Sequence, residues 1–144
     1  MIINEIESTE TIHQAYKTST IYVDKSRKFL EIRWLGRVDF DDYKQTMLEA
    51  GRLVGEEGFQ NAIINRLELE EISPDAAVWL KKEFVKVHLR PIVNTLKKVA
   101  TVESKSAFSR FYSNSLTLAI KVVYPSLSIK SFSSKEEAFT WMGV

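Results

Sequence analysis

The hydrophobic period of the chain first changes near residue 38, and that change constrains the fold more than any other feature. Before it, the pattern repeats every two residues. Thr20–Asp24 (TIYVD) alternates apolar and polar, Lys25-Ser26-Arg27-Lys28 breaks the pattern, and Phe29–Leu35 (FLEIRWL) resumes it. Leu30, Ile32 and Trp34 then face one way, Glu31 and Arg33 the other. An alternation of two marks a strand with one buried face, and two such runs around a short polar turn make a β-hairpin. Ile12–Lys17 adds an edge strand, and Gly36 is expected to end the hairpin.

After the change, apolar residues recur every three or four positions. Asp39 is placed to cap a helix, with Asp41 and Asp42 in the first turn where the helix dipole favours acids. Phe40, Tyr43, Met47, Ala50 and Val54 share one face of it, and Gly55 and Gly58 are expected to stop it. Ala62–Leu67 (AIINRL) reads as a short buried strand. A second helix opens at Ser73 as cap, with Pro74 at its first position and Asp75 in its first turn. Its apolar stripe is Ala77, Leu80, Phe84 and Val87; Lys81, Lys82, Lys86 and Arg90 form an exposed side, and Pro91 limits it. Lys97–Glu103 is a further strand, Ser106 to about Val122 a helix, and Leu127–Phe132 a last strand. Ser134 and Glu137 form a capping box, S-x-x-E, for a final helix with Phe139 and Trp141.

Strands first, then helix and strand in alternation, predict an α/β sandwich: one domain over 1–144, a small, mostly parallel sheet flanked by about four helices. The 144 residues, 44% of them hydrophobic, suffice for one sizeable core. There is no cysteine, which excludes thiol catalysis, cysteine–zinc sites and disulfides. Two histidines, His13 and His88, leave little material for a metal or triad site. The net charge of +1 conceals a split: residues 1–75 sum to −6 and residues 76–144 to +7. The basic residues are spread along the chain, so no nucleic-acid partner is expected. No stretch approaches the roughly 20 apolar residues of a membrane helix, and Met1-Ile2-Ile3-Asn4 does not open a signal peptide. A cytoplasmic protein is the expectation.

The five glycines form neither a phosphate-binding loop nor a nucleophile elbow. Glu68, Glu70, Glu71 and Asp75 supply oxygens of the kind hard cations use, but without the turn glycine of a calcium loop. They read as a solvated acidic loop, and no metal or cofactor is expected. His88, near a helix C-terminus, suits the helix dipole. Trp34 belongs to the apolar face of its strand. Trp79 stands off the centre of its helix stripe, which makes it a candidate for the edge of a cavity or an interface.

Taken together, IRWLGRVDFDDYKQ, AIINRLELEEISPDAAVWL, KKVATVESKSAFSRFY and SFSSKEEAFTWM resemble the SpoIIAA-like (STAS-like) domain family of bacteria over about residues 20–142. Trp34 and Gly36, Ile63–Leu67, Trp79 and Leu80, Val99 and Ala100, Phe108, and Phe132–Met142 carry the likeness. The resemblance implies a small sheet flanked by helices and a regulatory role through protein contacts, switched in such domains by a phosphoserine at a helix N-terminus. Here Asp75 lies near the place of that serine, Asn65 lies where the strand often ends in aspartate, and Ser73 falls one or two residues early, as a structural cap. The serine switch is expected to be lost.

The resulting expectation is a non-enzymatic regulatory or binding module with a protein partner. Asn65, Glu70, Ser73, Asp75 and Trp79 are its candidate binding residues, and a homodimer is possible. The alternative is a protein for an apolar small molecule or lipid, of the CRAL-TRIO kind that the resemblance also brings in, with Phe84, Phe108, Phe111 and Tyr112 near a cavity. An enzyme ranks third, because no nucleophile, base and electrophile come together in the sequence.

Overall fold

The structure is a computed structural model that describes residues 9–103 and 120–144. Six strands lie side by side in chain order: β1 (Thr11–Ala15), β2 (Ser19–Asp24), β3 (Phe29–Val38), β4 (Asn61–Ile72), β5 (Lys98–Glu103) and β6 (Ser128–Phe132). The sheet is mixed rather than mostly parallel. β1–β2 and β2–β3 pair antiparallel, while β3–β4, β4–β5 and β5–β6 pair parallel. Connection length decides this, since a few residues reverse a strand but a parallel neighbour needs a long crossover. The four residues 25–28 leave only the hairpin open to β2 and β3.

Between β3 and β4 runs α1 (Phe40–Glu57), capped by Asp39, whose carboxylate accepts from the Asp42 N–H at 2.8 Å. Gly55 does not stop α1; Gly58 does, in a left-handed conformation at φ 73°. Gly36, likewise, does not end β3. It sits at φ 67° beside a shift of register, a bulge after which pairing with β4 resumes. β4 therefore runs to Ile72, and Glu68, Glu70 and Glu71 are strand residues rather than a loop, with Leu69 and Ile72 turned inward between them.

Beyond Ser73, α2 (Pro74–Trp79) continues into a π-helical stretch, Leu80–His88, closed by a 3-10 turn at Arg90–Ile92. The Leu89 N–H reaches back five residues to the Phe84 carbonyl at 2.8 Å. The wider turn shifts the expected stripe: Val85 is buried in place of Val87, which is 59% exposed. A last helix, α3 (Lys135–Met142), begins at Ser134, whose hydroxyl accepts from the Glu137 N–H at 3.3 Å. Residues 120–123 are helical; the rest of the helix expected from Ser106 lies outside the described residues.

The two faces of the sheet bury different sets. Ile21, Leu30, Ile32, Trp34 and Ala62 pack against α1 and the π-helix through Tyr43, Leu53, Leu80 and Phe84. Phe29, Ile63, Ala100 and Val102 pack against Ala138 and Met142 of α3. Strands covered on both faces bury both alternating sets of side chains, which gives Glu31, on the expected outer set, a buried place.

Candidate functional site

The first candidate surface follows from unequal strand lengths. β4 and β5 stay in register as far as Arg66 and Glu103, after which β4 continues beside β3 alone among the described residues. This two-stranded arm leads straight into α2. On the arm and α2, Leu35, Leu67 and Val78 are 55%, 43% and 50% exposed, and Glu68, Glu70, Glu71 and Asp75 are exposed. Ser73 joins the arm to the helix: its N–H donates to the Val38 carbonyl at 3.0 Å and its hydroxyl accepts from the Ala76 N–H at 3.3 Å. That hydroxyl is thus engaged as a cap. Glu70 and Arg37 approach to 4.0 Å with both side chains solvated, a contact worth little.

Trp79 is not on this surface. It is buried against Tyr43, Phe40, Phe84 and His88, and its indole N–H donates to Glu83 at 2.6 Å. Asn65 also leaves the group, because it lies on the opposite face of the sheet, where its amide donates to Glu31 at 3.0 Å. Of the five residues named from sequence, Glu70, Ser73 and Asp75 come together on the arm and helix start.

Asn65 belongs to a second site, a charged cluster between the sheet and α3. Glu31 is fully buried and receives Arg33 at 2.7 Å and Lys135 at 2.7 Å. Glu10 joins through Lys135 at 3.2 Å and Arg33 at 3.4 Å. The Arg33 guanidinium also stacks 3.9 Å over the Tyr22 ring. The two carboxyls are driven apart. Burial, then the hydrogen bond and charge of Glu31, push Glu10 up to about 7. Burial opposes ionisation of Glu31 too, but hydrogen bonds from Glu10, Arg33, Lys135 and Asn65 outweigh it and hold Glu31 at about 2. The sequence reading missed Glu10, Glu31, Arg33 and Lys135. The only local signal was the E-x-R pair on the polar side of β3.

The third feature is a cavity of about 100 Å³ between the sheet and its helical layer. Its lining is apolar, from Leu30, Ile64, Leu80 and Phe84 among others, and also includes Trp34, Tyr43, Arg66 and Thr101. Phe84 therefore lines a cavity, while Phe108, Phe111 and Tyr112 lie outside the described residues. Among the described residues, no three His, Asp or Glu side chains gather as a metal set, and no helix is long and apolar enough to cross a membrane.

No family model and no curated protein matches the sequence. Eight chains of solved structures match, among them the following two. One is an uncharacterized protein of the DUF3478 family from Shewanella loihica PV-4 with a SpoIIAA-like fold, 19% identical over 92% of this chain and 90% of that one, at a TM-score of 0.55. The other is the anti-sigma factor antagonist SpoIIAA in its unphosphorylated form, 11% identical over 93% of this chain and 97% of that one, at 0.54. A six-stranded mixed sheet with helices on both faces, continuous along nearly the whole length of both relatives, gives this chain a SpoIIAA-like fold.

Proposed function

We propose that the chain is a non-enzymatic bacterial regulatory module, a single cytoplasmic domain that binds a protein partner through the β3–β4 arm and the start of α2. The observation that carries the reading is that the arm and α2 expose both apolar side chains, Leu35, Leu67 and Val78, and acidic ones, Glu68, Glu70, Glu71 and Asp75. Exposed apolar side chains in company with charged ones are a mark of protein interfaces. The likeness in fold to an anti-sigma factor antagonist supports the regulatory part. The charge selects a partner with a basic rim around an apolar patch.

The phosphoserine switch has no equivalent in this reading. Asp75 carries a fixed negative charge in the first turn of α2, and the Ser73 hydroxyl is engaged as a cap. A lipid occupant is not favoured. A cavity of about 100 Å³ is smaller than the ~150 Å³ apolar void that accepts benzene, and an acyl chain is far larger. Leu67→Glu and Asp75→Lys test the docking face, because both residues are exposed and the variants should fold. Co-purification from the source cell should lose the same discrete partner in both. Folded variants that keep every partner of the parent refute this surface.

A further inference from the structure

The rod made of α2 and the π-helical stretch has a long outer face, and the docking surface uses only its start. The buried residues of the rod, Ala76, Trp79 with Leu80, Phe84 with Val85, and Leu89, recur every four or five positions. The exposed residues between them recur with the same spacing. At the 3.6 residues per turn of an α-helix, Val78 and Val87 would stand on opposite sides. The wider i→i+5 turn of Leu80–His88 brings them towards one side, where they are 50% and 59% exposed. Asp75, Lys82, Glu83 and Arg90 are exposed along the same rod.

The order of these residues is self-complementary. Asp75 and Arg90 are equidistant from the midpoint between Lys82 and Glu83, and so are Val78 and Val87. Two copies laid antiparallel about a two-fold axis through that midpoint set Asp75 against Arg90, Val78 against Val87 and Lys82 against Glu83, each pair twice. Every charge facing another in these pairs is opposite in sign. Glu83 accepts the Trp79 indole N–H through Oε2 at 2.6 Å, which holds its carboxylate in place. Lys81 and Lys86, also exposed, have the buried Phe84 and Trp79 as their positional opposites, so neither faces a base. The net charge of +1 adds little repulsion between copies. We propose that the chain forms a two-fold homodimer through this face, antiparallel and in this register. The occupant is a second copy, because the register makes the face its own complement in charge and in apolar contact.

Asp75 and Val78 also belong to the face proposed for the protein partner, so the test uses the purified full chain, where only self-association is read. Sedimentation equilibrium should show monomer and dimer at sub-millimolar concentration, weakly associated because the contact is small. Asp75→Arg and Arg90→Asp, both at exposed sites, each turn two attractions into two repulsions and should weaken association about tenfold or more. An equimolar mixture of the two variants should restore it to within about threefold, because a chain with arginine at both positions then faces one with aspartate at both. The chain has no cysteine, so disulfide formation can report the register. Val78→Cys mixed with Val87→Cys should cross-link on oxidation. Neither should link to itself, because the pairing holds like positions ~13 Å apart along the axis. The cysteine pair decides the question even where a charge variant misfolds. A parent that stays monomeric at millimolar concentration overturns the dimer. So does a charge-variant mixture that associates no better than its parts, or a cysteine variant that links to itself as readily as the mixture links. The docking reading is independent of these results and is decided by Leu67→Glu and the co-purified partner.

Discussion

Lys135→Met tests the charged cluster most sharply. The Lys135 ammonium lies 2.7 Å from Glu31 and 3.2 Å from Glu10, and its side chain is 20% exposed. Without it, Arg33 is the cation that the described ion pairs leave facing Glu10 and the fully buried Glu31. Removing one partner of a buried pair costs ~3–5 kcal/mol. Partial exposure of Lys135 reduces that, and so does relief from holding a cation in the first turn of α3, a position the helix dipole penalises by ~0.3–1 kcal/mol. The expected loss is ~2–3 kcal/mol, a large share of the ~5–15 kcal/mol of a typical domain. It should also depend on pH. Lys135 lowers the pKa of Glu10, so the variant carboxyl takes up its proton more readily and escapes part of the loss in acid. Urea unfolding at two pH values on either side of 7 measures both effects. A loss below ~0.5 kcal/mol at the higher pH, or one equal at both, refutes the account of the cluster.

Three further outcomes follow from the same geometry. Glu10, raised from 4.5 to about 7 when folded, contributes stability that is full below 4.5 and lost as pH rises through about 7. Glu31, lowered to about 2, contributes stability present above 4.5 and lost as pH falls toward about 2, so urea midpoints should be highest between these windows. Glu10→Gln should flatten the upper limb of that profile and leave the acid limb in place. Ser73→Ala should cost ~0.5–2 kcal/mol by removing the α2 cap, read as a shift of the urea midpoint at constant slope. Phe29→Ala should cost ~3–5 kcal/mol, because the ring is fully buried against Phe139 between the sheet and α3.

Much of this fold is written in local patterns. The alternation of Phe29–Leu35, the Asp39 cap and the Ser134–Glu137 box each needs only near neighbours, and each element stands where its pattern puts it. What escaped depends on distant partners. Glu31 and Arg33 look like the solvent side of a strand until α3 covers them, and Lys135 lies 104 residues from Glu31 in sequence. Glu68–Glu71 look like a loop because acids cluster there, yet Leu67, Leu69 and Ile72 extend a strand that β3 pairs. The step in register at Gly36 made that pairing invisible, since a glycine after an alternating run resembles a stop. Nor does an apolar stripe distinguish an α-helix from the wider turn at Leu80–His88, so Val87 was expected inside and lies outside. The proposed docking face was only half legible: Glu70, Ser73 and Asp75 stand on the arm and helix start it uses, whereas exposure of Leu35, Leu67 and Val78 is a tertiary fact.

That face is the central claim, and site-specific photo-crosslinking in the living source cell tests it most directly. A photoreactive residue replaces Leu67 or Val78 on the arm and α2, or Lys130 of β6 as an exposed control away from them. The account predicts that positions 67 and 78 yield the same discrete adduct with one protein and that position 130 yields none. Adducts from position 130 alone, with positions 67 and 78 silent in a folded protein, contradict it.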